Sequence, residues 1–200
     1  MRYLLLPALL LLTTGLFAQT PMAAHRPTLS WEASQNWAVI QDADGRFQLL
    51  SPAKFTHAVD SVETALGRQV YHTFHLAAPD PATAENAIYA ISYVDYPTGT
   101  IHHDSTELVR EFMLGTEEEA AAAVGGEIVY STDKELSGYP ARQWRIDYNG
   151  GRATARTLAG VVGNRYYEVK VFSVSASGIN QSANKFFDSV RLYAPPKAGK

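Results

Sequence analysis

Residues 143–173 read QWRIDYNGGRATARTLAGVVGNRYYEVKVFS, and this stretch decides the class of fold. In Gln143–Asn149 the bulky residues Trp144, Ile146 and Tyr148 alternate with Gln143, Arg145 and Asp147. Successive side chains leave a strand on opposite sides, so a period of two marks a strand with one face buried. Tyr166–Ser173 repeats the pattern, with Tyr167, Val169 and Val171 on one face. Asn149-Gly150-Gly151 and Gly163-Asn164 punctuate the run as hairpin turns. Strands joined by turns this tight run antiparallel, because parallel neighbours need long crossovers.

The same signals recur outward from this core. Asp44-Gly45 separates Trp37–Gln41 from Arg46–Leu50, and Val59–Leu66 pairs with Gln69–Leu76 around Gly67-Arg68. Ala87–Tyr96 is apolar on both faces, which suits a central strand. Two segments have helical period instead. In Asp104–Val124 the residues Val109, Phe112, Met113, Thr116, Ala120, Ala123 and Val124 fall on one stripe, and Gly125-Gly126 supplies the stop. Asp104 with Glu107 resembles a capping box. Gly115 inside the stripe costs about 1 kcal/mol relative to alanine and predicts a kink or a break. The second helix is Ile179–Val190, with Ile179, Ala183, Phe186, Phe187 and Val190 on its apolar face and capping residues at its start. The class is α+β: an antiparallel sheet of about seven or eight strands flanked by two helices.

The ends of the chain read differently. Arg2 followed by the apolar run Leu4–Leu12 and by Ala18 has the form of an export signal over residues 1–18. The run is too short to span a bilayer at about 20 residues. Residues 19–36 are expected to be a flexible leader, 37–193 a single domain and 194–200 a disordered tail. Removing the signal takes away one arginine and no acid, so the formal net charge moves from −3 to −4. The absence of cysteine excludes disulfides, thiolate metal sites, cysteine nucleophiles and lipid attachment through cysteine. Interspersed charge with no basic face argues against a nucleic-acid partner. An exported chain, periplasmic or secreted, with no membrane span after processing and no lipid anchor, is the expectation.

Three stretches carry a resemblance: Tyr89–Pro97 (YAISYVDYP), Leu136–Arg142 (LSGYPAR) and Gly163–Leu192 (GNRYYEVKVFSVSASGINQSANKFFDSVRL). In order and spacing they resemble uncharacterised exported bacterial proteins related to the PsbP-like and DcrB-like fold. The resemblance covers roughly residues 37–192 and implies an antiparallel sheet flanked by helices. Its motifs are structural, and it brings no catalytic set to these positions.

Residues able to carry chemistry are few. His72 and His75, three apart on a strand, point to opposite faces, and His72 shares its face with Phe74 and Leu76 as a core histidine would. His102 and His103, beside Asp104 with Asp95 upstream, are weak candidates for a metal site. A polar loop whose aspartate caps the helix is the plainer reading. Glu117, Glu118 and Glu119 fan around the helix as a solvated face. Asp42-Ala43-Asp44-Gly45 lacks the glycine and glutamate spacing of a calcium loop and reads as a turn. No nucleophile elbow, metalloprotease signature or phosphate-cradling loop occurs, so no catalytic residue and no cofactor is expected. Tyr89, Ile91 and Tyr93 share one strand face and are the candidate ligand or partner surface. The reading ranks a non-catalytic domain that binds a protein partner first. A small-ligand or lipid-binding module comes second, and an enzyme with a scattered site third.

Overall fold

The computed structural model describes residues 30–81, 83–174 and 180–195. The expected export segment, residues 19–29 of the leader, Ile179 and residues 196–200 of the tail lie outside the described residues. Two hairpins come first: β1 (Ala38–Asp42) with β2 (Phe47–Ser51), then β3 (Thr56–Thr64) with β4 (Gly67–Ala77). β5 (Ile88–Asp95) returns beside β4, and α1 (Thr106–Val124) crosses the sheet. A four-stranded meander follows: β6 (Glu127–Leu136), β7 (Tyr139–Tyr148), β8 (Ala153–Val162) and β9 (Arg165–Ser173). α2 (Gln181–Asp188) and β10 (Arg191–Leu192) close the described chain.

The main sheet has seven strands in the order β3-β4-β5-β9-β8-β7-β6, all neighbours antiparallel. The fold is α+β, as the strand periodicity requires. One hairpin is placed elsewhere than expected: β1 and β2 join β10 in a separate three-stranded sheet. That small sheet and α2 cover one face of the main sheet, where Phe47, Leu49, Phe186 and Leu192 pack on Phe74, Tyr89, Tyr167 and Val169. α1 covers the other face, where Val109 and Met113 meet Val94, Trp144, Ile146 and Val161. Both faces are therefore covered over β7 and β8. Gln143 and Arg145 of the polar half of the 143–149 alternation are buried as well, with Arg145 held by the half-buried Asp147 at 2.6 and 2.9 Å.

The turn between β3 and β4 falls two residues before the expected Gly67-Arg68, because Thr64 pairs with Gly67 and leaves Ala65-Leu66 at the tip. The Thr64 hydroxyl closes it, donating to the Gly67 carbonyl at 2.8 Å and accepting the Leu66 N–H at 3.1 Å. α1 is continuous through Gly115, with no break. It stops where expected: Gly125 takes a left-handed conformation (φ 58°), and the Gly126 N–H donates to the Ala121 carbonyl at 2.9 Å. Its start differs. The N-cap is Ser105, without a side-chain capping bond, so Asp104 does not cap the helix.

The buried side of α1 consists of Val109, Met113, Thr116, Glu117 and Ala121, whereas Ala123 and Val124 are exposed. Glu117 thus departs from the expected solvated face. It is four residues beyond Met113, on the stripe that meets β6 and β7, and only 4% exposed. Arg142 Nε donates to its carboxylate at 2.7 Å, and the Ser131 hydroxyl donates to the same oxygen.

The expected leader also gives way at its end. Within residues 30–36, Glu32 at the start of a short 3-10 turn is fully buried and the Trp31 N–H donates to the Thr83 carbonyl at 3.3 Å, while Ala33, Ser34 and Asn36 are exposed. α2 begins at Asn180, whose side chain accepts the Ala183 N–H at 2.8 Å, and buries Ala183, Phe186 and Phe187 as its periodicity predicts.

Candidate ligand-binding cavity

α1 leans on β6 and β7, so its opposite flank hangs over β4 without touching it closely. The tip of the β3–β4 hairpin and the loop after β5 rise to meet that flank, enclosing a cavity of about 640 Å³. That volume lies within the range of roughly 300–1,000 Å³ that small-molecule sites occupy. Leu66, Ile101, Leu108 and Phe112 give it apolar walls, and the rings of Tyr71 and Tyr96 form its sheet side. Gly115 faces the same space. A Cβ placed there would meet nothing within 4 Å, so the missing side chain is volume given to the cavity.

The polar groups around the cavity are mostly committed to one another. The Tyr71 and Tyr96 hydroxyls are hydrogen-bonded together, and burial pushes the pKa of both upward. Thr116 donates to the Phe112 carbonyl at 2.9 Å. Two groups are not so settled. Gln69 is 3% exposed, and its Oε1 has no hydrogen-bond partner among the described residues. Glu119, on the α1 rim, has its carboxyl pushed up by burial. An orphaned buried acceptor costs about 1–3 kcal/mol, and a ligand able to donate to it would recover that.

The surface expected from Tyr89, Ile91 and Tyr93 lies on the other face of the sheet. Their exposures are 0, 0 and 4%, and the small sheet and α2 cover them. Tyr89 meets Phe186 edge-on at 5.1 Å and Trp37 at 6.0 Å, which makes the trio a core stripe. The aromatic pair at the cavity, Tyr71 and Tyr96, belongs to the opposite parity of the same two strands or their ends. Tyr96 is an odd number of residues beyond Tyr93, and that offset is the signal that could have found it.

His102, His103 and Asp104 do come together, with ligand atoms all within 4.8 Å of one another. Their hydrogen bonds give them a different task. The Gly163 N–H donates to His103 Nδ1 at 2.9 Å, and the His103 N–H donates to the Gly163 carbonyl at 3.0 Å. A neutral imidazole that accepts at Nδ1 carries its proton on Nε2, which lies 3.4 Å from Asp104 Oδ1. His102 Nδ1 likewise accepts the Asp104 N–H at 3.3 Å. His103 latches the loop before α1 to the β8–β9 turn, and His102 braces the loop itself. His103→Ala should lower stability by about 1–2 kcal/mol and speed exchange of the Gly163 amide, measurable by urea denaturation and hydrogen exchange. Unchanged exchange at Gly163 would show that the latch is not made in solution.

His72 and His75 occupy opposite faces of β4 as expected, but His72 is half-buried rather than core. It stacks on Tyr93 at 4.6 Å, and its Nδ1 is 3.3 Å from His57 Nε2. The turn at Asp42–Gly45 is closed by the Gly45 N–H donating to the Asp42 carboxylate, as a hairpin rather than a calcium loop. Among the described residues no helix is long and apolar enough to cross a membrane.

No family model matches the chain, and no curated protein matches it by sequence. Among solved structures it is similar to the solution structure of cyanobacterial PsbP (CyanoP) from Synechocystis sp. PCC 6803, with 9% identity and a TM-score of 0.49. The similarity covers 78% of this chain and 92% of that one.

Proposed function

We propose that this protein binds a small, predominantly apolar molecule in the cavity between α1 and the main sheet. The observation that carries the reading is the cavity itself, a space of about 640 Å³ walled by apolar and tyrosine side chains between α1 and the main sheet. The mid-helix glycine supports it. Alanine at position 115 would strengthen the helix by about 1 kcal/mol without a clash, so the glycine is costly to the helix and useful to the cavity. Residues 1–18 we take as an export signal, which sets the ligand among molecules met outside the cytoplasm. A protein partner is the second reading. Among the described residues β3 ends the sheet with nine residues and no strand on its outer side, an edge to which a partner's strand could add, and its own Val59 is exposed.

The test is binding of a neutral fluorescent apolar probe, N-phenyl-naphthylamine, to the purified chain. Wild type should bind with enhanced fluorescence, Gly115→Ala should bind nearly as well, and Gly115→Phe should lose about tenfold or more in affinity by filling the space. If Gly115→Phe remains folded and binds like wild type, the cavity is not the site.

A further inference from the structure

We propose that the cavity selects apolar amines, molecules with an apolar body and a hydrogen-bond-donating head that carries no negative charge, and rejects the corresponding carboxylates. The inference rests on the cavity being the ligand site and follows from the sign of its polar groups. Gln69 lines the β4 wall, and its Oε1 is a buried acceptor without a partner among the described residues, one that a turn of the amide would present to the space. Among the described residues the only ionisable carboxyls on the lining are Glu111 and Glu119, both on α1, and no lysine, arginine or histidine lines the space. The side-chain donors nearest the hairpin tip and the helix are already used, Thr64 on the Gly67 carbonyl and Thr116 on the Phe112 carbonyl. The Thr100 and tyrosine hydroxyls and the Gln69 amide can still donate, so the sign of the site is set by its charge, two carboxyls and, among the described lining residues, no cation.

A carboxylate head placed here would meet Glu119, a group that already resists ionisation through burial, with nothing of opposite sign to offset the repulsion. An ammonium or amine head reverses every one of those terms. It can donate to Gln69 Oε1 once the amide turns toward it and attracts the Glu119 and Glu111 carboxylates, while the chain or ring behind it lies against Leu66, Leu108 and Phe112. Nothing here discriminates the shape of the apolar body beyond the volume available.

The experiment is competitive displacement of N-phenyl-naphthylamine from the full chain at neutral pH by dodecylamine and by dodecanoate, each below its micelle concentration. Dodecylamine should displace the probe at a concentration about tenfold or more lower than dodecanoate. Gln69→Leu should narrow that ratio severalfold, and Glu119→Gln should narrow it independently. Dodecanoate competing as well as dodecylamine, or a ratio unmoved by both substitutions, overturns the amine preference while the probe still reports an occupied cavity. A probe bound equally by wild type and Gly115→Phe overturns the cavity reading, and the amine preference with it.

Discussion

Arg142→Met is expected to destabilise the domain by about 3–5 kcal/mol, because it leaves the Glu117 carboxylate buried and uncompensated. The pair joins α1 to β7 across a distance of 25 residues in sequence, with Arg142 Nε donating to Glu117 at 2.7 Å and its Nη1 donating to Asp133. Glu117 and Arg142 side chains are 6% and 10% exposed, so water cannot take over when one partner is removed. In a chain of this size the loss should lower the melting temperature by about 10 °C, read by circular dichroism. The companion variant Glu117→Met/Arg142→Met should recover most of it, since two apolar side chains of similar volume relieve both desolvation penalties at once. Asp133, with a side chain 58% exposed, stays hydrated in either variant. A double variant as unstable as the single one would show that Arg142 acts through its packing rather than through Glu117.

Why that pair is invisible in the sequence also explains how far the sequence reaches. A stripe traced through apolar residues passes from Thr116 to Ala120 and skips Glu117, although 109, 113 and 117 are the residues that face the sheet. Strand periodicity is legible because one face of a strand must be apolar, and the 143–149 and 166–173 segments show it plainly. Coverage of the second face leaves no such mark. β8 (ATARTLAGVV) is buried along its whole length, although Thr154 and Arg156 give one of its faces a polar half. The trio Tyr89, Ile91 and Tyr93 is correctly one face. Which element covers that face depends on the small sheet and α2, brought back from far along the chain. The cavity is a matter of how α1 leans, which no local pattern encodes. Its one trace in the sequence is Gly115, a residue that weakens a helix and is explained only by the space it leaves. His102, His103 and Asp104 are adjacent in sequence and so were always going to be near one another. The hydrogen bonds of His103 to Gly163 in the β8–β9 turn, 60 residues away, decide what the loop does.

Glu32→Ala is expected to cost about 3 kcal/mol or more, a large effect for a residue in a segment whose composition reads as a loose leader. Its carboxylate accepts three hydrogen bonds in a site without exposure: from the Glu85 N–H at 3.0 Å, the Asn86 N–H at 2.8 Å and the Tyr89 hydroxyl at 3.2 Å. Asn86, itself fully buried, carries the network onward. It donates to Tyr89 Oη at 2.6 Å and to Asn180 Oδ1 at 3.0 Å, and accepts from the Ser173 hydroxyl at 2.6 Å. Asn180 caps α2, so the first described turn of the chain is tied to the last helix through two side chains. Alanine would strand two backbone donors and a tyrosine hydroxyl together. Their penalties overlap, because the same local opening would rehydrate all three. Glu32→Gln keeps one good acceptor but turns an amide toward a backbone N–H, so it should lose about 1–2 kcal/mol. A chain shortened to begin at Trp37 should be as unstable as Glu32→Ala, and limited proteolysis should then cut between residues 80 and 87. A shortened chain as stable as the full one would mean that residues 30–36 are the leader their composition describes, and that the network is held by Asn86 alone.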